Sequence, residues 1–219
     1  MASPSTMKNA IVDIGQRLYD RGMIAGTEGN ISVRLDDDRI MVTPSGLANG
    51  RLSPKEMVIV DSNGKHLQGG SKASSELLMH LFVYKSRPEI AACVHSHPLY
   101  ATAFAVAGIP LAEDILPEVV LFVGNIPLIY YAPPGTDAVP KSLEPHIETS
   151  NAFLLRNHGL LTIGRTLEEA FNRHETVEHY AHIVLLARRL GSVEAIPSED
   201  FKRLEKMRRK LDETWEGKS

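Results

Sequence analysis

The sequence predicts an α/β protein: a central mixed, largely antiparallel sheet with helices packed on its faces. Two observations carry this. Strand-like and helix-like segments alternate along the 219 residues. Several consecutive strand segments are also separated by only a few turn residues, too few for the crossover that a parallel pair requires. A purely parallel sheet is thereby excluded. The length permits one substantial core. No repeat, low-complexity tract or linker divides the chain, so residues 1–219 are expected to form a single domain with 1–6 disordered.

Residues 7–21 place Ile11, Ile14 and Leu18 at helical spacing, and Gly22 ends the run. Gly26-Thr27-Glu28-Gly29-Asn30 is a polar turn feeding a strand that reaches Arg34. Asp36-Asp37-Asp38 turns it back into a strand over 39–43, and Pro44-Ser45-Gly46 is another tight turn. A short strand over 57–60 closes on Asp61-Ser62-Asn63-Gly64. Ser74 and Ser75 cap a helix that runs to Ser86 and stops at Arg87-Pro88. The apolar run from Ala91 to Val94 is the next strand, and it delivers His95-Ser96-His97 before Pro98. A short helix carrying Ala101, Phe104 and Ala105 follows. Residues 119–123 and 127–131 read as strands, and 135–149 as a helix that Pro140 and Pro145 disturb. Two strands over 152–156 and 160–163 are joined by Asn157-His158-Gly159. Thr166 with Glu169 forms a capping box for a long helix over 167–190, and Ser198 begins a last amphipathic helix.

Composition bounds the function classes. Hydrophobic content of 43% and charged content of 23% are those of a soluble globular protein. A net charge of −3 gives no reason to expect nucleic acid as a partner. The single cysteine excludes an internal disulfide and fits a reducing compartment, so a cytoplasmic location is expected. Residues 1–6 lack the apolar core of a signal peptide, and no apolar run approaches the ~20 residues that span a bilayer.

Chemistry concentrates around His95 and His97. Side chains two apart on a strand point to the same face, so both imidazoles are presented side by side, where they can share one ion. Zn²⁺ and similar metals require three or four donors. His158, in a turn between two apolar strands, can be a turn histidine bonded to backbone; beside His95 and His97 it completes an open three-nitrogen site. Glu76 can be a glutamate complementing a helix dipole, or a carboxylate near the metal that binds it and shuttles a proton. Ser74 and Ser75 at a helix start suit a phosphate. Gly29-Asn30 and Ser45-Gly46 are turns whose N–H groups can converge on the same anion. Cys93 shares the strand face of His95 and reads as a small buried residue. Most of the other histidines of the nine read as mundane: His66 in a polar turn, His80 and His146 on helices. His174, His179 and His182 read as surface or interface residues, because His174 and His179 are spaced five apart and not the four a zinc-binding helix needs.

The motifs Gly-Thr-Glu-Gly-Asn-x-Ser-x-Arg, Thr-Pro-Ser-Gly, Ser-Ser-Glu, His-x-His-Pro and Asn-His-Gly occur in an order and spacing that resembles the class II aldolase/adducin family over residues 7–190. The resemblance implies a three-layer α/β/α fold and a homotetramer whose sites are completed by neighbouring subunits. It implies that His95, His97, His158 and Glu76 hold one divalent metal, Zn or Mn. Glu76 would also serve as acid/base, and Gly29, Asn30, Ser45, Gly46, Ser74 and Ser75 would bind the substrate phosphate. The implied reaction is cleavage of a ketose 1-phosphate, of the L-fuculose, 5-deoxyribulose or methylthioribulose type, to dihydroxyacetone phosphate and an aldehyde through a metal-stabilised enediolate.

The chain departs from the family's aldolases in one place. Their tyrosine in the segment matching 113–120 is absent, and Glu113, Asp114 and Glu118 stand there instead. Tyr131, beside Tyr130, or Glu118 is the candidate for the second proton transfer; the alternatives are a buried core aromatic and a solvated loop charge. Trp215 in the last helix is a candidate lid. The family also hosts a dehydratase, a 4-epimerase, a decarboxylase and the non-catalytic adducin module. The epimerase carries Asp where Glu76 stands, and an adducin-like module would be expected to lack the ligands.

Overall fold

The computed structural model describes residues 3–112 and 114–216, with 214–216 described by backbone alone. In chain order the elements are α1 (Pro4–Asp20), β1 (Asn30–Arg34), β2 (Arg39–Val42), β3 (Val58–Asp61) and β4 (His66–Gln68). They continue with α2 (Leu77–Ser86), β5 (Ala92–Ser96), α3 (Leu99–Ala107), α4 (Pro117–Phe122), β6 (Leu128–Ile129) and α5 (Ala138–Leu143). The chain then forms β7 (Ala152–Leu155), β8 (Gly159–Gly164), α6 (Leu167–Leu190) and α7 (Ser198–Glu216). The eight strands make one sheet in the order β4-β3-β2-β1-β5-β8-β7-β6. Every pairing is antiparallel except β6 with β7. The mixed, largely antiparallel sheet is therefore as the sequence indicates.

Side chains alternate across this sheet into two cores. On one face Cys93, Phe153, Leu155, Leu161 and Ile163 pack with Met79 and Val83 of α2 and Leu143 of α5. On the other, Ile31, Val33, Ala92 and Val94 meet α1 and the start of α6. Ala152, Leu154 and Leu160 meet α3, α4 and the middle of α6 on that same side. This is a three-layer α/β/α arrangement. Each fully buried aliphatic side chain contributes roughly 1.5–3 kcal/mol. β7 and β8, covered on both faces, consequently read as largely apolar runs. Among the described residues no helix is long and apolar enough to cross a membrane.

Several elements differ from the sequence expectation for physical reasons. Residues 119–123 are not a strand: Pro117 sits in the first turn of α4, and Val119, Val120 and Val123 are buried while Phe122 is exposed, a helical pattern. The helix expected from Ser74 begins at Leu77, since Ser74 N–H is already bonded to Thr43 O. The helix expected over 135–149 is only α5, followed by turns that contain His146. Residues 3–6 are ordered into α1, where the Ser3 hydroxyl accepts from Thr6 N–H and Pro4 starts the first turn. His66 lies in β4, an edge strand exposed at all three residues, where no apolar alternation marks it.

Candidate metal centre

The three central strands create the site. β5 lies between β1 and β8, with Asn30 paired to His95 and His95 paired to Leu161. His97 stands one residue past the end of β5, and His158 one residue before β8. The strand ends therefore bring the three imidazoles together. Their ring centroids are 4.8–5.2 Å apart with interplanar angles of 65–69°. One ligand atom from each lies within 4.8 Å of the others.

Hydrogen bonds behind the rings decide which nitrogen faces inward. His95 Nδ1 is 2.9 Å from the Leu160 carbonyl oxygen, which only accepts, so Nδ1 carries the proton and Nε2 a lone pair. His97 Nδ1 likewise donates to Glu28 Oε2 at 2.9 Å. His97 Nε2 is buried without a hydrogen bond, and His95 Nε2 has only the Glu76 carboxylate, 3.2 Å away. Unsatisfied buried nitrogens are costly, and two lone pairs aimed at one spot are the donor set of a cation site. This arrangement fits a divalent metal.

Glu76, at the N-cap of α2, closes the group on the same face. Its Oε2 is 3.2 Å from His95 Nε2 and its Oε1 2.8 Å from His158 Nε2. Asn30 Nδ2 donates to Oε2 at 2.8 Å and so orients the Glu76 carboxylate. Burial pushes the Glu76 carboxyl up, but the imidazoles of His95 and His158 outweigh it and hold it well below the usual carboxylate range. Burial pushes His95 down, and Glu76 more than reverses this. His97 is lowered by burial and by the neighbouring His95.

A cleft of about 290 Å³ opens over Glu76, His97 and His158. Its walls are the turns that the sequence marked for phosphate, with Gly29, Asn30, Ser45, Gly46, Ser74 and Ser75 all lining it. A bridge between Pro44 and Ala73 holds two of these turns side by side. Gly29 (φ +74°) presses on β5, and a Cβ there would stand 2.8 Å from His95 O. Gly159 presses from the other flank, where a Cβ would stand 2.5 Å from both Ser96 O and His97 Cδ2. Gly159→Ala is therefore expected to destabilise the protein by about 1–3 kcal/mol through overpacking and to weaken divalent-ion binding. Urea unfolding and a metal titration check this; a loss below about 0.5 kcal/mol would show that β8 does not need the close approach.

Other candidates lie elsewhere in the protomer. Tyr131 is 58% exposed after β6 and does not line the cleft. Glu118 is exposed in the first turn of α4, in the layer opposite Glu76. Cys93 is fully buried in the core beside Tyr84, and burial raises its thiol to about 12. Glu113 and the side chain of Trp215 lie outside the described residues.

The expectation that His174 is a surface or interface residue is overturned. It is fully buried, with Nε2 2.7 Å from Ser96 Oγ and Nδ1 3.0 Å from Thr162 Oγ1, clamping β5 between His95 and His97. His80, also fully buried, is bonded to Ser32 Oγ at 2.7 Å. Burial lowers each imidazole to about 3. Above the ordinary value of about 6.5 neither folded nor unfolded chain binds a proton there. Between about 6.5 and 3 the unfolded chain takes up protons that the folded one refuses. Each imidazole therefore subtracts about 1.4 kcal/mol of stability per pH unit as pH falls through that window. In metal-free protein, His174→Gln is expected to reduce the pH slope of stability between pH 6 and 5 by that amount. An unchanged slope in urea unfolding would mean that folded His174 takes up the proton.

Sequence reasoning also missed Glu28 and Asn49. Asn49, 2% exposed, donates through Nδ2 to the carbonyl oxygens of Glu28 and Gly29 at 2.9 and 2.7 Å, and so fixes that turn. An acid inside a glycine-flanked turn was the only available signal for Glu28.

Comparison with known proteins gives consistent results. Residues 9–185 match the family described as Class II Aldolase and Adducin N-terminal domain. A Haemophilus influenzae 3-oxo-tetronate 4-phosphate decarboxylase is 38% identical, over 80% of this chain and 85% of the relative. An L-fuculose phosphate aldolase from Methanococcus maripaludis is 36% identical, over 78% of this chain and 92% of the relative. Among solved structures, an L-fuculose 1-phosphate aldolase superposes with a TM-score of 0.86 at 32% identity, covering 94% of this chain and 97% of that one.

Proposed function

This chain belongs to the class II aldolase and adducin family, and from that premise we propose that it is a divalent-metal-dependent lyase. It breaks a carbon–carbon bond in a small phosphorylated sugar or sugar acid and leaves dihydroxyacetone phosphate. The observation that carries this reading is the convergence of His95, His97 and His158, one ligand atom of each within 4.8 Å of the others, with the Glu76 carboxylate set against His95 and His158. His95, His97, His158 and Glu76 would hold the ion, and both Zn²⁺ and Mn²⁺ suit such donors. Bound there, it supplies Lewis-acid stabilisation of negative charge on substrate oxygens.

The chain's own residues do the rest. The turns around Gly29, Ser45-Gly46 and Ser74-Ser75 receive the phosphate. When the bond breaks, its electron pair stays on the carbon beside the ketone. Glu76 governs the proton that this carbon must gain. Asn30 keeps the carboxylate aimed at that carbon.

The two named relatives suggest substrates that differ only in what leaves. A ketose 1-phosphate loses an aldehyde, which requires a base to take the C4 hydroxyl proton. A 3-oxo-tetronate 4-phosphate is a β-keto acid; it loses CO₂, with no hydroxyl proton to remove, and gains one proton at carbon to give the same triose phosphate. Neither Tyr131 nor Glu118 lines the cleft, which favours the 3-oxo acid. Aldol cleavage is the second reading, favoured if the exposed Tyr130-Tyr131 segment reaches a neighbouring subunit's cleft in a homotetramer.

The test supplies both substrate classes to metal-loaded protein and follows triose phosphate, CO₂ and aldehyde together. We expect metal-dependent triose phosphate with equimolar CO₂ from the 3-oxo acid. Aldehyde formed in step with triose phosphate from a ketose 1-phosphate would reverse the choice of leaving group. No triose phosphate from either class, in protein holding metal, would overturn the lyase reading.

A further inference from the structure

We infer that Glu28 is a positioning residue of the metal centre: it fixes His97 as an Nε2 ligand and strengthens that nitrogen as a donor. The inference rests on the metal-dependent reading above and adds a residue to it. Both oxygens of the carboxylate are committed. Oε2 accepts from His97 Nδ1 at 2.9 Å and Oε1 accepts from Ala25 N–H at 2.7 Å. The Glu28 backbone is held as well, because Asn49 grips its carbonyl oxygen and Gly29 follows in a left-handed conformation against His95 O. Both carboxylate oxygens and the carbonyl oxygen of Glu28 are thus held.

That commitment separates two roles. A proton-transfer base needs an oxygen free to reach substrate, whereas the Glu28 carboxylate points at the back of His97. Its negative charge favours the tautomer with the proton on Nδ1. When Nε2 meets a cation the ring gains positive character, and the carboxylate stabilises it. Such outer carboxylates are typically worth about 10- to 100-fold in metal affinity. His95 has a neutral carbonyl in the equivalent place, at Leu160 O. The charged partner therefore falls on His97, the more exposed of the two ligands on β5's end, with 27% side-chain exposure against 0%.

The test measures Co²⁺ binding by its visible absorption and by chelator competition in wild type, Glu28→Gln and Glu28→Ala, with melting of the metal-free proteins alongside. We expect Glu28→Ala to bind about 10- to 100-fold more weakly. Glu28→Gln, which keeps an acceptor oxygen without the charge, should fall between it and wild type. Metal-free melting of Glu28→Gln, whose amide oxygen can still accept a hydrogen bond, should stay level. Wild-type affinity in Glu28→Ala would overturn the inference, as would equal losses in both variants accompanied by lower metal-free melting, which a merely structural role predicts. A wild-type protein that takes up no Co²⁺ would instead overturn the metal reading itself.

Discussion

Glu76→Gln lowers kcat by about 10²- to 10⁴-fold at saturating metal, the range that proton transfer by a positioned side chain commands. The substitution keeps the volume of the side chain and an oxygen that can still accept from Asn30. It removes the negative charge that faces His95 and His158 across 3.2 and 2.8 Å, and it removes the ability to carry a proton. Metal affinity falls too, so turnover must be compared at metal concentrations shown to fill the site. Steady-state triose phosphate release, with occupancy read by chelator competition, makes the comparison. A variant within threefold of wild-type kcat at full occupancy would take the proton-moving role away from Glu76.

Removal of the metal produces the second large effect. Lewis-acid stabilisation is worth several kcal/mol, and about 1.36 kcal/mol is tenfold in rate. Chelation is therefore expected to lower activity by about 10³-fold or more, with recovery on adding Zn²⁺ or Mn²⁺. Binding also stabilises the fold. At a free-ion concentration 100 times Kd the gain is about 2.7 kcal/mol. For a chain of this length that gain corresponds to a rise in Tm of roughly 5–10 °C. His95→Ala removes a fully buried candidate ligand, and its Tm should no longer respond to the ion. A His95→Ala protein whose melting still rises as the wild type's does would remove His95 from the ligand set.

What the sequence disclosed follows from how local each signal is. The alternation of β5 puts His95 on one face and Ser96 on the other, and that needed only the period of a strand. Likewise α6 starts after Thr166, whose hydroxyl accepts from Glu169 N–H, because an N-cap is written within four residues; the expected capping box is only half formed, since the Glu169 carboxylate accepts from Arg165 N–H. The signals that failed are non-local. Valines at 119, 120 and 123 suit a strand by propensity, but burial of Val119 and Val123 in the cluster that holds Leu154 and Leu160 selects a helix. His174 looks like one more polar residue on a charged helix until Ser96 and Thr162 are seen to meet it. Glu28 lies in a motif that drew attention to its glycine, and its partner His97 is 69 positions away. The histidines that converge as candidate ligands were therefore legible, whereas the residues that orient them were not. Orientation is a property of the packed sheet.

The placement of β5 between β1 and β8 also dictates when the site can exist. His95 bonds to a carbonyl 65 positions further along the chain, and His158 precedes β8 directly. A growing polypeptide that has emerged only as far as α5 already carries Glu28, Glu76, His95 and His97, but one long edge of β5 is bare. Such an edge invites pairing with other chains. Because the contacts are so separated in sequence, folding waits on a large loop closure. The third imidazole arrives immediately before the strand that covers the edge, so the three-histidine cluster is not complete until that strand emerges. Protection from aggregation and competence to bind the ion are thus acquired in the same event.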